Sequence, residues 1–302
     1  MRARTLHGAG VECSESGNDE GAIENYMKAL ALDPDRGDTL YNLGLIYKYR
    51  GDWAQSFEFN RRARGFQPDD EATLWNLAIA ATALKDWSTA REVWRQLKIL
   101  PDSGEGPIVK QLGSVPVRLN AEGSTDCAVE VVWSHALCPV RSRIENIPTG
   151  ETGFRFGDVV LHDGAAVGYR INSSGQERPV FNVLELLERS QFSTFEASVT
   201  AGSAQEIEVL ERQCDDASIR FEDWTASLRN LCKACSEGRP HEGHDHDLKS
   251  TIWEPVRRLG FAAVDADLLQ VLLAGWSEQT GHHVGDLRCT LDAGLTSGEA
   301  EL

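Results

Sequence analysis

Nowhere in this chain does an apolar run approach the ~18 residues that a membrane-spanning helix needs. Met1–Gly10 carries Arg2 and Arg4 but no apolar core ahead of a cleavage-like site, so the expectation is a cytoplasmic protein. Positive charge is scarce as well. Thirty Lys and Arg stand against 47 Asp and Glu, for a net charge of −17, and there is no long basic run. Phosphate backbones and anionic membranes are held by clustered Lys and Arg, so neither nucleic acid nor membrane is expected as a partner. The seven cysteines are odd in number, and Cys13, Cys127, Cys138, Cys214 and Cys289 lie far apart, so disulfides are not the framework. Also missing are a Gly-rich phosphate loop ending in Lys-Ser/Thr, a His-Glu-x2-His pair and a Gly-x-Ser-x-Gly elbow. Gly164–Gly168 lacks the dinucleotide-binding pattern, and no residue is assigned as catalytic.

What is present begins with an ordinary hydrophobic fraction of 41% and an aromatic fraction of 8%, enough to bury a core that offsets chain entropy. The length of 302 residues suits more than one domain. Acidity is uneven: residues 1–104 carry 13 basic and 16 acidic side chains, leaving 17 and 31 for the remainder.

Sliding the chain by 34 residues superposes Leu6, Leu40 and Leu74, then Gly10, Gly44 and Ala78, then Ala22, Ser56 and Ala90, then Tyr26, Asn60 and Trp94. Pro34 and Pro68 keep step, and Pro101 comes one place early. The small residues mark where the two helices of a hairpin cross closely. Gly17-Asn18-Asp19, Gly51-Asp52-Trp53 and Lys85-Asp86-Trp87 read as turns, each with an Asp able to cap the next helix. Proline after Leu32-Asp33 and Phe66-Gln67 stops the second helix.

With "AIENYMKALALDPD" followed by "LYNLGLIYKYRGDWAQSFEFNRRARGFQPDD", residues 3–102 resemble the tetratricopeptide-repeat (TPR) family. The resemblance implies three helical hairpins, residues 1–104, stacked into a short solenoid that holds a protein or extended peptide in a groove lined by the first helix of each hairpin. Arg4, His7, Val11, Tyr41, Asn42, Leu45, Lys48, Trp75, Asn76, Ile79 and Thr82 are its groove candidates, with Tyr41, Asn42, Leu45, Lys48, Trp75, Asn76 and Ile79 at the centre. Asn42 and Asn76, one repeat apart, are suited to bonding a peptide backbone. The family's carboxylate clamp is absent, because His7, Val11, Ala72 and Asn76 occupy its places. A chaperone tail is therefore not the expected ligand.

Pro101–Pro107 breaks the helical period and reads as a linker. Beyond it, 115–119, 128–133, 138–146, 157–164, 166–171 and 195–201 read as strands, with His162-Asp163-Gly164 as a hairpin turn between two of them. Residues 105–190 are thus a mostly antiparallel β region, with 113–183 suited to a small barrel or sandwich. Residues 191–302 follow as an α+β layer of two strand–helix–strand runs. Helix 204–217 belongs to the first; in the second, helix 265–280 is capped by Asp265 and buries Leu268, Leu269, Leu272 and Leu273.

Cys232, Cys235, His241, His244 and His246 fall within the loop 232–247. Two thiolates from a Cys-x2-Cys turn and nearby imidazoles supply the donors that tetrahedral zinc prefers, although the gap between Cys235 and His241 is shorter than in common fingers. A structural zinc is the expectation. A catalytic metal, a redox dithiol and a plain polar loop remain as alternatives. Taken together, the chain reads as a multidomain α then α+β protein, an adaptor that binds a protein or peptide. A metal-dependent enzyme using the 232–247 loop, or an acidic inhibitory protein for a basic partner, are the other classes. The sequence does not indicate an oligomeric state.

Overall fold

The computed structural model describes residues 1–100, 104–121, 127–172, 174–229 and 253–294. The chain divides into two compact units, Met1–Lys110 with Leu137–Arg141, and Gln111–Ala136 with Ser142–Leu302.

The first unit contains six helices among its described residues: α1 (Arg2–Glu15), α2 (Asp19–Leu32), α3 (Gly37–Tyr49), α4 (Trp53–Phe66), α5 (Glu71–Ala83) and α6 (Trp87–Gln96). Asp52 and Asp86 cap α4 and α6, accepting the Gln55 and Thr89 amides at 3.1 Å each. In the first hairpin the cap is Asn18, which accepts the Gly21 amide at 3.0 Å, and Asp19 is already the first helical residue. The small residues are where the crossing requires them. A Cβ on Gly10 would stand 2.5 Å from the Tyr26 ring, and one on Gly44 would collide with the Asn60 amide. Tyr26, Asn60 and Trp94 are all buried at that same step of the repeat. In α5, residues Thr73, Leu74 and Asn76–Thr82 are all buried, as expected of a helix apolar on most sides. After α6 the chain 104–110 lies along the end of the array. Arg91 donates to the Gly106 and Pro107 carbonyls, and Arg141 donates to the Ile108 carbonyl at 2.6 Å with its guanidinium over the Trp87 ring.

A closed five-stranded barrel follows in sequence order, within the second unit apart from Leu137, Cys138 and Arg141: β1 (Ser114–Leu119), β2 (Glu130–Cys138), β3 (Arg141–Ile144), β4 (Val159–Ile171) and β5 (Glu177–Glu188). Strand direction alternates along such a meander, so with an odd number the first and last strands must close in parallel. They do, pairing Val117 with Phe181 and Arg118 with Asn182. Val117, Leu119, Val132, Ile144 and Val160 fill the interior. The expected hairpin at His162–Gly164 is instead an irregularity inside the single strand β4. The register to β5 shifts there, and the Asp163 carboxylate accepts the Gly164 amide at 2.7 Å and, as in an Asx turn, the Ala165 amide at 3.4 Å, which bends the strand without reversing it.

Next come β6 (Ser193–Thr200), α7 (Ala204–Asp216), β7 (Arg220–Asp223), the short α8 (Trp224–Arg229), β8 (Val256–Ala263), α9 (Ala266–Thr280) and β9 (Arg288–Leu291). The sheet order is β7-β8-β6-β9 with antiparallel neighbours, the interleaved βαββαβ arrangement. Phe195, Leu259 and Phe261 meet Leu210, Leu269, Leu273 and Trp276 in its core. Asp265 caps α9 as expected, accepting the Asp267 and Leu268 amides. Of the four leucines expected to be buried, Leu269 and Leu273 are, Leu272 is partly so, and Leu268 is 43% exposed, because the helix turns Trp276 into the core in line with Leu269 and Leu273.

Candidate functional site

The first helices of the hairpins, α1, α3 and α5, carry the candidate binding residues, and the structure grades them by access. Tyr41 is half-buried against the core built by Tyr26, Leu40 and Leu43. Asn42, also half-buried, donates from its side-chain amide to the Tyr26 hydroxyl at 3.2 Å, so it braces α3 on α2. Burial pushes the Tyr26 phenol upward, and this bond from Asn42 opposes the rise. Leu45 is half-exposed on the same helix. Lys48 is buried, with its ammonium 4.4 Å from the centre of the Tyr49 ring. The neighbouring Tyr49 is 51% exposed, and the repeat alignment did not single it out.

On α5, Trp75 is partly open, with its ring edge-on to Trp94 at 4.9 Å and its indole N–H directed to Glu71 at 3.4 Å. Asn76 and Ile79 are buried, and so is Thr82, whose hydroxyl donates to the Ala78 carbonyl. On α1, Arg4 is exposed. His7 meets the Thr39 hydroxyl at 2.9 Å and stacks obliquely on Tyr26; its pKa is lowered by burial, with Asp38 opposing. Thus Tyr41, Asn42, Leu45 and Trp75 keep accessible surface, whereas Lys48, Asn76 and Ile79 belong to the packed interior.

Residues 10–51 match the family model described as TPR repeat. The helical region is built of TPR repeats. Photosystem I assembly protein Ycf3 of Prochlorococcus marinus strain NATL2A is 41% identical over 54 residues, covering 18% of this chain and 31% of that protein. The same protein from strain MIT 9211 is 39% identical over the same span. The chain therefore matches about a third of the length of these curated relatives. Among solved structures, a Thermobaculum terrenum O-GlcNAc transferase mutant is 22% identical with a TM-score of 0.30, covering 33% of this chain and 20% of that one.

The expected zinc ligands Cys232, Cys235, His241, His244 and His246 lie outside the described residues. Among the described residues, no group of three or more His, Cys, Asp or Glu is placed to hold a metal. No described helix is long and apolar enough to cross a membrane.

Proposed function

We propose that this protein is an interaction scaffold whose TPR array holds a protein or an extended peptide. The observation that carries the reading is the 34-residue array itself, with the partly open aromatic and aliphatic side chains Tyr41, Leu45 and Trp75 along its first helices. The curated relatives named as assembly proteins support a role in bringing polypeptides together. Lys48, Asn76 and Ile79 serve the array by packing, so the ligand is met by the half-open residues. A photo-crosslinking side chain at Leu45 or Trp75, compared with one at Glu58 of the second helix α4, whose side chain is also partly open, tests this. Crosslinks to a polypeptide from Leu45 and Trp75 but not from Glu58 are expected. Crosslinks from Glu58 alone would remove the first-helix face from consideration.

We also propose one structural zinc held by Cys232, Cys235, His241 and either His244 or His246. The spacing of these residues supports it, as does their place in the connection 224–255. That connection joins β7 and β8, which pair directly with Phe221 opposite Phe261, where a turn of a few residues would suffice. About one zinc per chain, lost together with thermal stability in the Cys232→Ser/Cys235→Ser variant, is the expected outcome. A metal-free native protein would end the proposal, and zinc lost with stability intact would favour a catalytic metal.

A further inference from the structure

Helix α9 is apolar on more sides than its own core uses. Leu269, Leu273 and Trp276 turn inward, and Leu272 leans on the same core from its edge. Leu268 and Val271, three residues apart, continue from that edge onto the outer surface, where Val271 is 70% exposed. Val264, at the entry to the helix, is 61% exposed. Gly275 extends the same side by one more turn, and a Cβ there would meet nothing within 4 Å. Neither a close crossing nor a left-handed backbone among the described residues accounts for this glycine, which weakens the helix it sits in. Single exposed aliphatic side chains are ordinary, but a contiguous row beside open space on one helix is what a closely approaching polypeptide uses.

The charge around the row selects its occupant. Helix α7 lies beside α9, with the Gln213 amide donating to the Gln279 side-chain oxygen at 3.0 Å and the Trp276 indole N–H donating to the Glu206 carbonyl at 3.2 Å. Between them the two helices carry seven Asp and Glu against one basic side chain, Arg212. Glu206 meets His282 at 2.9 Å and Asp215 approaches Arg220 at 3.8 Å, which still leaves the layer acidic. A second copy of this chain would set two surfaces of the same sign against each other, at a cost in affinity. We propose that the row formed by Leu268, Val271 and Gly275 on α9 is a docking site for a basic amphipathic helix of a partner protein. The partner's apolar side chains cover the row, and its Lys and Arg meet the acidic layer. This site belongs to the second unit and does not depend on the reading of the TPR array.

The test is fluorescence anisotropy of a labelled helical peptide of Leu and Lys, about 18 residues long with Leu at i, i+3, i+4 and i+7, titrated with the full chain. Binding that weakens as salt rises is expected, and it should fall about tenfold in Leu268→Ser/Val271→Ser. Ile171→Ser, at an equally exposed aliphatic position on β4, should leave it unchanged. Gly275→Gln should raise the melting temperature of the free chain by restoring helix propensity, yet weaken the peptide several-fold by filling the open space. Both sets of changes are at exposed positions, and thermal melts verify that the fold is kept. Equal binding by Leu268→Ser/Val271→Ser would reduce the interaction to bulk charge and overturn the proposal. So would equal binding of a Leu and Glu peptide, self-association of the wild type that Leu268→Ser/Val271→Ser abolishes in sedimentation, or binding to phosphatidylcholine vesicles that the same variant abolishes.

Discussion

Two glycines, two residues apart on α1, face opposite demands. A Cβ on Gly8 meets nothing within 4 Å, whereas one on Gly10 runs into the Tyr26 ring. Gly8→Ala should stabilise the protein by roughly 0.5–1 kcal/mol through helix propensity. Gly10→Ala should destabilise it by about 1–3 kcal/mol through overpacking. Urea denaturation of the two variants checks both signs, and a Gly10→Ala protein as stable as the wild type would contradict the close crossing. His162 supplies a second residue-level prediction. It is buried, stacks on Phe181, and donates from Nδ1 to the Asp163 carbonyl at 2.9 Å, while Nε2 has no partner among the described residues. Burial lowers its pKa to about 4. Above the unfolded value both states are neutral. Below it the unfolded chain takes a proton that the folded chain refuses, so stability falls between about pH 6.5 and about pH 4, by up to roughly 3 kcal/mol. His162→Gln should lose less stability than the wild type across that interval when melting is followed against pH.

At the scale of elements, each helical hairpin depends on its turn. Asp86 accepts both the Thr89 amide and its hydroxyl, so Asp86→Ala should cost about 1 kcal/mol while Asp86→Asn retains most of the cap; thermal melts of the pair distinguish a cap from a bulk charge effect. Such features were legible because they are local: a capping side chain reaches only three residues, and the stopping proline acts on its neighbour. Strands were read less well. The runs 157–164 and 166–171 form one strand because an Asx-bonded bulge and a turn share the signature Asp-Gly, and only the pairing with β5 separates them. Strand β5 itself, with Leu-Glu-Leu-Leu-Glu at its end, shows no clean alternation, since bulges shift which side chains face inward. Leu268 points outward on α9 for a related reason: four leucines offer two faces, and Trp276 decides which is buried.

For the molecule as a whole, 47 acidic against 30 basic side chains make the folded chain repel itself. Raising salt from about 0.02 to about 0.3 M should therefore raise the melting temperature by screening that repulsion, and a fall would show that attractive ion pairs outweigh it. The 34-residue period by itself determined the helical hairpins, their crossings and the TPR membership of the first third, because a repeat stabilises itself through contacts at one fixed sequence offset. Which candidate binding residues stay open was decided only by tertiary structure. Leu45 and Trp75 keep surface while Lys48, Asn76 and Ile79 lose it, since exposure depends on what other parts of the chain cover. The parallel closure of the barrel and the order β7-β8-β6-β9 likewise arise from partners far apart in sequence, and no local pattern of residues encodes such pairings.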